Sequence, residues 1–298
     1  MTALAIKKIG NSEMKRFTLL LSCIDRPGIV ATVSSFLHQA GLNIIESNQF
    51  GDIKTGRFFM RVAFKTADPS SDVKQADLKE EFKEISDQFG MDWRLFDMNV
   101  KTPAVIMVSK FDHCLVDLLY RRRIGTLKMD IAAVISNHDT TREIVNREGI
   151  PFHHIPVTSD TKQDAEDKIR KIIADTGAEL IILARYMQIL STDMANNYPG
   201  QIINIHHSFL PSFKGAEPYS QAYHRGVKMI GATAHYVTPN LDEGPIIAQQ
   251  VVPVRHDMSV EDMIGAGQEI EQSVMAKAIR AHTEHRILLN EGKTVVFD

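Results

Sequence analysis

Cysteine is scarce in this sequence, which contains only Cys23 and Cys114 among its 298 residues. The two lie far apart in apolar segments, so they can form neither a disulfide framework nor a four-cysteine zinc site. We interpret them as buried thiols and expect a cytoplasmic protein, because isolated thiols stay reduced in that compartment.

Long apolar runs and an excess of one charge are also missing. No uncharged stretch approaches the roughly 18 apolar residues of a membrane span, and the first residues lack the apolar core of a targeting signal, so we expect no membrane partner. Lys and Arg total 34 against 37 Asp and Glu, a formal net charge of −3 that argues against a nucleic-acid partner. The run Arg121-Arg122-Arg123 could form a local basic patch, although a solvated helix end is the favoured interpretation.

The length is about twice that of a typical domain. The 44% hydrophobic and 24% charged residues are typical of a globular protein. We predict a two-domain α/β protein with a leader over residues 1–15, a first domain over 16–97, a linker over 98–103 and a second domain over 104–298.

The first domain begins with a short apolar strand, Phe17 to Cys23, followed by the turn Asp25-Arg26-Pro27-Gly28. Apolar residues at helical spacing then predict a helix that stops near Gly41. Two runs with strand character, Leu42 to Phe50 and Arg57 to Phe64, predict a hairpin. An amphipathic helix and a last strand complete the order βαββαβ, which is typical of a ferredoxin-like domain.

Residues 16–97 resemble an ACT domain, a small amino-acid-sensing module attached to many metabolic enzymes. In that family the loop after the first strand closes over a small ligand where two such domains meet. The resemblance implies a homo-oligomer and an amino-acid effector, for which glycine or methionine is our suggestion. The residues implied in binding are Asp25, Arg26, Pro27, Gly28 and the neighbouring Asn43. Free N–H groups at a helix start suit a carboxylate, but the alternative is that Pro27 and Gly28 merely start a helix.

The second domain alternates short apolar strands with helical stretches. The predicted strands are 104–108, 130–136, 151–157 and 179–184, and the predicted helices lie around 113–122, 140–148 and 163–175. This alternation predicts a Rossmann-like, mostly parallel sheet with a ligand beyond the carboxyl ends of its strands.

Polar residues with catalytic chemistry gather between Ile202 and Gln250. In a strand-like segment, Asn204 and His206 project from the same side, and His207 should point the other way. An amide donor beside an imidazole can polarise a carbonyl and exchange a proton, which is what acyl transfer from an amide requires.

This region resembles the formyltransferase family that uses 10-formyltetrahydrofolate, over most of residues 103–285. The motifs that carry the resemblance are Asn204-Ile205-His206, Ser208-Phe209-Leu210-Pro211, Gly215, His235-Tyr236-Val237-Thr238 and Leu241-Asp242-Glu243-Gly244-Pro245. It implies that Asn204, His206 and Asp242 form the catalytic set. It also implies a folate pocket that includes Arg185, Tyr186, Met187, Ile189 and His235, and it requires no cofactor and no metal.

Other interpretations of these residues stay open. The four histidines His206, His207, His224 and His235 could bind zinc, although no cysteine accompanies them. Asp242 could simply form a turn beside Gly244-Pro245. His235 could be a core histidine or a structural partner of the site.

An ACT-like domain followed by a formyltransferase-like domain resembles the formyltetrahydrofolate deformylases. The resemblance implies hydrolysis of 10-formyltetrahydrofolate to tetrahydrofolate and formate, which serves one-carbon balance in purine synthesis. Asp242 would act as base or orienter, Asn204 would donate to the oxyanion, and His206 would move a proton to the leaving nitrogen. The alternatives are a formyltransferase that acts on an amine of a nucleotide precursor or of an aminoacyl-tRNA, and a non-catalytic amino-acid sensor.

The loop within Val108 to Leu115 favours water as the formyl acceptor. In the glycinamide-ribonucleotide formyltransferases that this domain resembles, the corresponding loop is rich in glycine and holds a phosphate. This loop has no glycine and instead brings bulk and a carboxylate, from Lys110, Phe111, Asp112 and His113. The alternative is that Lys110 and Arg121 to Arg123 form a different phosphate site.

Overall fold

The computed structural model describes residues 14–210 and 218–298. Most of the predicted leader, and the motif residues Pro211 and Gly215, lie outside the described residues. The chain divides into two compact units between Val100 and Lys101.

The first unit has the predicted order βαββαβ. Its elements are β1 (Arg16–Ile24), α1 (Ile29–Gln39), β2 (Leu42–Asp52), β3 (Arg57–Thr66), α2 (Gln75–Phe89) and β4 (Asp92–Asp97). The strands form an antiparallel sheet in the order β2-β3-β1-β4. Helix α1 buries Ile29, Val33 and Leu37, which are four residues apart and therefore share one face. The ferredoxin-like prediction is confirmed.

The register of this sheet separates two groups of residues that the sequence analysis joined. Ile24, just before the turn at Asp25, pairs with Arg57 at the start of β3. Asn43 pairs with Lys65 near the opposite end of β3. Helix α1 carries the chain back along the sheet before β2 begins, so Asn43 does not neighbour the loop Asp25 to Gly28 within one chain.

The second unit is built around a seven-stranded sheet in the order β11-β10-β9-β8-β5-β6-β7. Its strands are β5 (Thr102–Val108), β6 (Met129–Ser136), β7 (Phe152–His154), β8 (Leu180–Ala184), β9 (Ile202–His206), β10 (Met229–Tyr236) and β11 (Ile246–Pro253). Its helices are α3 (His113–Arg123), α4 (Arg142–Arg147), α5 (Lys162–Thr176), α6 (Thr192–Asn197), α7 (Pro218–His224) and α8 (Val260–Thr283), and a hairpin of β12 (Ile287–Asn290) and β13 (Lys293–Val296) follows.

The predicted mostly parallel sheet is confirmed, with two differences. Strands β5 to β9 pair in parallel, whereas β10 and β11 form an antiparallel edge. The strand predicted over 151–157 is only Phe152–His154. Pro151 and Pro156 flank this short strand, and neither has the N–H group that would extend its pairing.

Helix α8 was not predicted from the sequence. Ser259 and Asp262 cap its first turn reciprocally, with the Ser259 hydroxyl bonded to the Asp262 N–H and the Asp262 carboxylate to the Ser259 N–H. It packs on β9, β10 and β11 and contributes apolar side chains such as Ile270, Val274 and Met275 to the core of the unit. The buried face of α8 also carries Glu271, a charged residue in an apolar setting.

The two cysteines are buried and the three consecutive arginines lie near carboxylates. Cys23 and Cys114 are both buried and unpaired with each other. Arg121, Arg122 and Arg123 each lie within ion-pair distance of a carboxylate. They occupy the last turn of α3, whereas Lys110 precedes the first turn. The eleven residues of the helix separate Lys110 from the three arginines by about 16 Å. The two groups therefore do not converge on one phosphate site.

None of the helices in the described residues is long and apolar enough to cross a membrane.

Candidate active site

A cavity of about 660 Å³ lies at the carboxyl ends of β8 and β9. Its wall comes from three segments: the loop after β8, the end of β9 with the residues that follow it, and the turn between β10 and β11. Parallel strands that end side by side leave such a crevice beyond their carboxyl ends, which is where ligands bind in open α/β sheets.

Strand β9 carries Asn204 and His206 into this cavity. Asn204 pairs with Leu183 of β8 on one side and with His235 of β10 on the other. Both Asn204 and His206 line the cavity, as the strand alternation predicts. The prediction that His207 points the other way was wrong. His207 follows the last strand residue, where the alternation ends, and its ring stacks on that of His206 with centroids 5.0 Å apart.

Asp242 reaches the same cavity from the turn between β10 and β11. Its carboxylate Oδ2 lies 3.3 Å from His206 Nδ1, and its Oδ1 lies 3.7 Å from His235 Nε2. The backbone of Asp242 is left-handed, with φ 57°, a conformation that aspartate adopts more readily than most residues. Asp242 therefore does sit in a turn, and that turn directs its carboxylate at two histidines.

Gly244 allows this turn to approach β10. A Cβ atom at Gly244 would lie 1.7 Å from the backbone oxygen of Tyr236, which is a severe clash with main chain that cannot move freely. Only glycine fits such a close approach. The contact fixes the height of the turn above β10 and with it the position of Asp242.

His235 Nε2 lies close to both Asn204 and Asp242. It is 2% exposed, and its Nδ1 lies 2.9 Å from the Tyr236 carbonyl, which can only accept, so the proton is on Nδ1. In the neutral ring Nε2 is then an acceptor, and Asn204 Nδ2 donates to it over 3.3 Å. The bond orients the Asn204 amide, so this arrangement favours His235 as a structural partner of the site.

The electrostatics of Asp242 follow from its partners. The hydrogen bond with His206 is the largest influence on this carboxyl and holds the pKa of Asp242 well below its usual range, although burial acts in the opposite direction. The group is therefore ionised at neutral pH. A carboxylate so stabilised is a weak base but a good partner for an imidazolium.

The loop after β8 forms the apolar side of the cavity. Met187 and Ile189 line it and are 52% and 61% exposed, so they present apolar surface to the cavity. The Met187 N–H donates to Ser109 Oγ, which in turn donates to Asn137, so the loop is anchored to the ends of β5 and β6. Tyr186 packs into the core, where burial raises its pKa to about 12.

Arg185 differs from its neighbours in this loop. It lines the cavity, but its guanidinium Nη1 lies 2.6 Å from His207 Nδ1, and its Nε lies 3.4 Å from Glu271 of α8. Glu271 is 1% exposed and is also bonded to His113 Nε2 at 2.8 Å and to the Tyr219 hydroxyl at 2.9 Å. Sequence reasoning missed this buried network. Its only signal was a glutamate on the apolar face of a helix between Ile270 and Val274.

The described residues contain one cluster with metal-ligand chemistry, formed by His113, Cys114 and Glu271, whose ligand atoms lie within 4.8 Å of one another. Burial and the charge of Glu271 raise the pKa of the Cys114 thiol far above its usual range. The Glu271 oxygens already accept from His113 and Tyr219, beside the cationic Arg185. His224, one of the histidines considered for zinc, does not line the cavity.

Comparisons with known proteins agree with this fold. Residues 103–279 match the formyl transferase family, and residues 17–76 match the ACT domain family. The chain is 50% identical over 285 residues to a formyltetrahydrofolate deformylase from Corynebacterium sp. (strain P-1), covering 96% of this chain and 99% of that protein. Sheet, cavity and family match together define the second unit as a formyl transferase domain.

Solved structures extend the comparison over both units. A formyltetrahydrofolate deformylase from Pseudomonas syringae pv. tomato has 45% sequence identity, a TM-score of 0.92, and coverage of 96% of this chain and 95% of that one. A glycinamide ribonucleotide transformylase from Symbiobacterium toebii has 30% identity and a TM-score of 0.63, and it covers 69% of this chain and 98% of its own. The chain belongs to the formyltetrahydrofolate deformylase family.

Proposed function

We propose that Asn204, His206 and Asp242 hydrolyse 10-formyltetrahydrofolate to tetrahydrofolate and formate in the cavity at the ends of β8 and β9. The chain is accordingly an enzyme, a hydrolase of an amide C–N bond. The observation that carries the proposal is the convergence of three groups on one cavity with an apolar wall: an amide donor and an imidazole from β9, and an ionised carboxylate from the turn between β10 and β11.

His206 is best suited to move the proton. With Nδ1 donating to Asp242, its Nε2 is left free to accept a proton from the attacking water. The water oxygen then forms a bond to the formyl carbon, and His206 passes the proton to the leaving nitrogen as the C–N bond breaks. The strongly lowered pKa of Asp242 favours the second of its two expected roles, which is to orient His206 and stabilise its imidazolium rather than to act as the base.

Asn204 is suited to stabilise the oxyanion. Its amide has two N–H bonds, and one of them is committed to His235 Nε2. The other can point at the carbonyl oxygen of the formyl group as negative charge develops there. A preorganised donor of this kind typically contributes about 3 to 4 kcal/mol to the barrier.

The exposed apolar loop is suited to hold the folate. Met187 and Ile189 offer apolar surface at the mouth of the cavity, where a flat aromatic ring system can pack. Arg185 and Tyr186, which the resemblance also assigned to the folate pocket, line the cavity as well. Arg185 is bonded to His207 and Tyr186 packs into the core, so we assign them mainly to shaping the loop.

The decisive experiment separates water from amine as the acceptor. The protein is incubated with 10-formyltetrahydrofolate alone and with glycinamide ribonucleotide, and both tetrahydrofolate and formate are followed. We expect equal amounts of both products without any amine and no gain in rate when it is added. Formylation that depends on the amine, with negligible formate, would assign a transferase instead. No turnover under either condition would favour the amino-acid sensor.

We further propose that the first unit binds a small amino acid and pairs with a second copy. The exposed loop Asp25 to Gly28 precedes the start of α1, but Arg26 packs on Phe89 and bonds to the Gln88 carbonyl, which leaves it unsuited to the ligand. A site that joins this loop to Asn43 requires Asn43 of a second chain, since the two lie at opposite ends of one sheet.

The chain has one tryptophan, and Trp93 lies in β4 of this unit, so its fluorescence reports on the first unit alone. We expect glycine or methionine to change that fluorescence, and Asp25→Ala and Asn43→Ala each to abolish the change. Light scattering should show an oligomer. A monomer with no response to either amino acid would rule out this proposal without affecting the hydrolysis. The cytoplasmic location and the link to purine synthesis stay predictions.

A further inference from the structure

We propose that Arg185 is a positioning residue that holds His207 as a neutral ring, against which the proton-carrying His206 is stacked. The inference rests on the proposed role of His206 in hydrolysis. It concerns residues to which that proposal gives no chemistry of their own: Arg185, His207 and Glu271.

The hydrogen bond between Arg185 and His207 determines where the His207 proton lies. A guanidinium can only donate, so His207 Nδ1, which lies 2.6 Å from Arg185 Nη1, must be the acceptor. The proton of the neutral ring is then on Nε2. A doubly protonated His207 would place an N–H group against the guanidinium and lose this bond.

The charges around His207 act in the same direction. It faces Arg185 from the loop after β8, His206 on its own segment, Asp242 from the turn before β11 and Glu271 from α8. Burial, followed by the charges of Arg185 and His206, lowers the pKa of His207 to about 4, although Glu271 and Asp242 act in the opposite direction. These influences agree with the neutral ring that the bond from Arg185 requires.

Because the rings of His206 and His207 are stacked, the charge of His207 affects the proton transfer by His206. The rings of His206 and His207 are nearly parallel, with an interplanar angle of 18°. A positive charge on His207 would oppose the imidazolium that His206 must form when it takes the proton from water. A neutral His207 supports the ring of His206 without that repulsion, while Asp242, 3.3 Å from His206 Nδ1, balances the new charge.

The surroundings of Arg185 indicate that its position is tightly determined. Its backbone is left-handed, with φ 63°, which is unfavourable for a long side chain and persists only where the structure demands it. Glu271 offsets its charge: burial raises the pKa of this carboxyl, but the His113 bond, the charge of Arg185 and the Tyr219 bond together lower it below its usual range. Tyr219 reaches Glu271 across Gly267, where a Cβ would lie 2.0 Å from its hydroxyl.

The first test needs no change at Arg185. Full-length protein labelled with ¹⁵N-histidine is titrated by NMR, and a His207→Gln spectrum identifies the His207 nitrogens. We expect the pattern of a neutral ring protonated on Nε2, unchanged from pH 8 to about pH 5. A His207 that titrates near its ordinary value of about 6.5, or that carries its proton on Nδ1, would overturn the proposal.

The second test changes Arg185. In Arg185→Met we expect His207 to become protonated about one to two pH units higher than in the unaltered protein. The acidic decline of kcat should move upward with it, and Arg185→Lys, which keeps the cation, should restore most of the difference. Arg170→Met is the matched control, because Arg170 also holds carboxylates, Asp167 and Asp193, but does not line the cavity.

The outcomes separate the two proposals. An unchanged His207 titration and an unchanged pH profile in Arg185→Met would contradict the positioning role even if hydrolysis is fully active. Absence of hydrolysis in the unaltered protein would instead contradict the proposed function, while the NMR titration would still decide the state of His207. If Arg185→Met does not fold, the unaltered protein and Arg185→Lys carry the decision.

Discussion

Replacing Asp242 by asparagine removes one negative charge and almost no volume. Asparagine also tolerates the left-handed backbone that Asp242 adopts at φ 57°, so the turn can keep its shape. The change therefore isolates the electrostatic contribution of the carboxylate to His206, whose Nδ1 lies 3.3 Å away.

The expected effect is a loss of at least about a hundredfold in kcat, which corresponds to about 2.7 kcal/mol of transition-state stabilisation. The reason is that the imidazolium of His206 forms only during the reaction, so the carboxylate stabilises the transition state more than the ground state. The amide would also leave the tautomer of His206 undefined, because an amide can donate as well as accept. KM should change less than kcat, because the carboxylate acts mainly on charge that develops in the transition state.

The assay measures formate and tetrahydrofolate from 10-formyltetrahydrofolate, with circular dichroism to verify the fold. Asp257→Asn is the matched control, because Asp257 is also paired with a basic residue, Arg255, but does not line the cavity. A kcat of Asp242→Asn within about threefold of the unaltered protein would refute the role of the carboxylate, given that a contribution of several kcal/mol is expected of such a group.

The other predictions concern the same site. Asn204→Ala and His206→Ala should each lower kcat at least about a hundredfold with the fold intact, and near-normal turnover would remove that residue from the mechanism. Gly244→Ala should displace the turn from Tyr236 and lower kcat at least about tenfold by moving Asp242. Gly265→Ala is the control, because Gly265 lies in helix α8 with open space at its Cβ; this change should leave the free energy of unfolding in urea unchanged or raise it by up to about 1 kcal/mol. In the folded protein the pKa of Asp242 lies below its unfolded value of 3.8, so the contribution of Asp242 to the free energy of unfolding is present above pH 3.8 and is lost as the pH falls towards the folded pKa. The stability difference between the unaltered protein and Asp242→Asn should therefore shrink in acid. A difference that grows in acid would contradict this prediction.

Much of the fold could be predicted from the sequence because it depends on local periodicity. The faces of α1 and α2 repeat at helical spacing, so their burial follows from the order of residues alone. Strand β3 departs from its alternation, because Phe59 and Arg61 on its second face are buried as well. The alternation of strands and helices after Lys101 predicted the parallel sheet for the same reason. The period of a strand predicted that Asn204 and His206 share one face, and this prediction is confirmed. The same period failed at His207, because β9 ends at His206.

Contacts between distant segments were decided only in the tertiary structure. The sequence separates Arg185, His207 and Glu271 by up to about 86 positions, and no local pattern predicts that they meet beside His206. The same holds for Asn43, which the sequence sets close to the Asp25 loop but the sheet register moves to its far end. Periodicity determines which face of an element is buried, whereas the pairing and packing of whole elements determine which buried charges become partners.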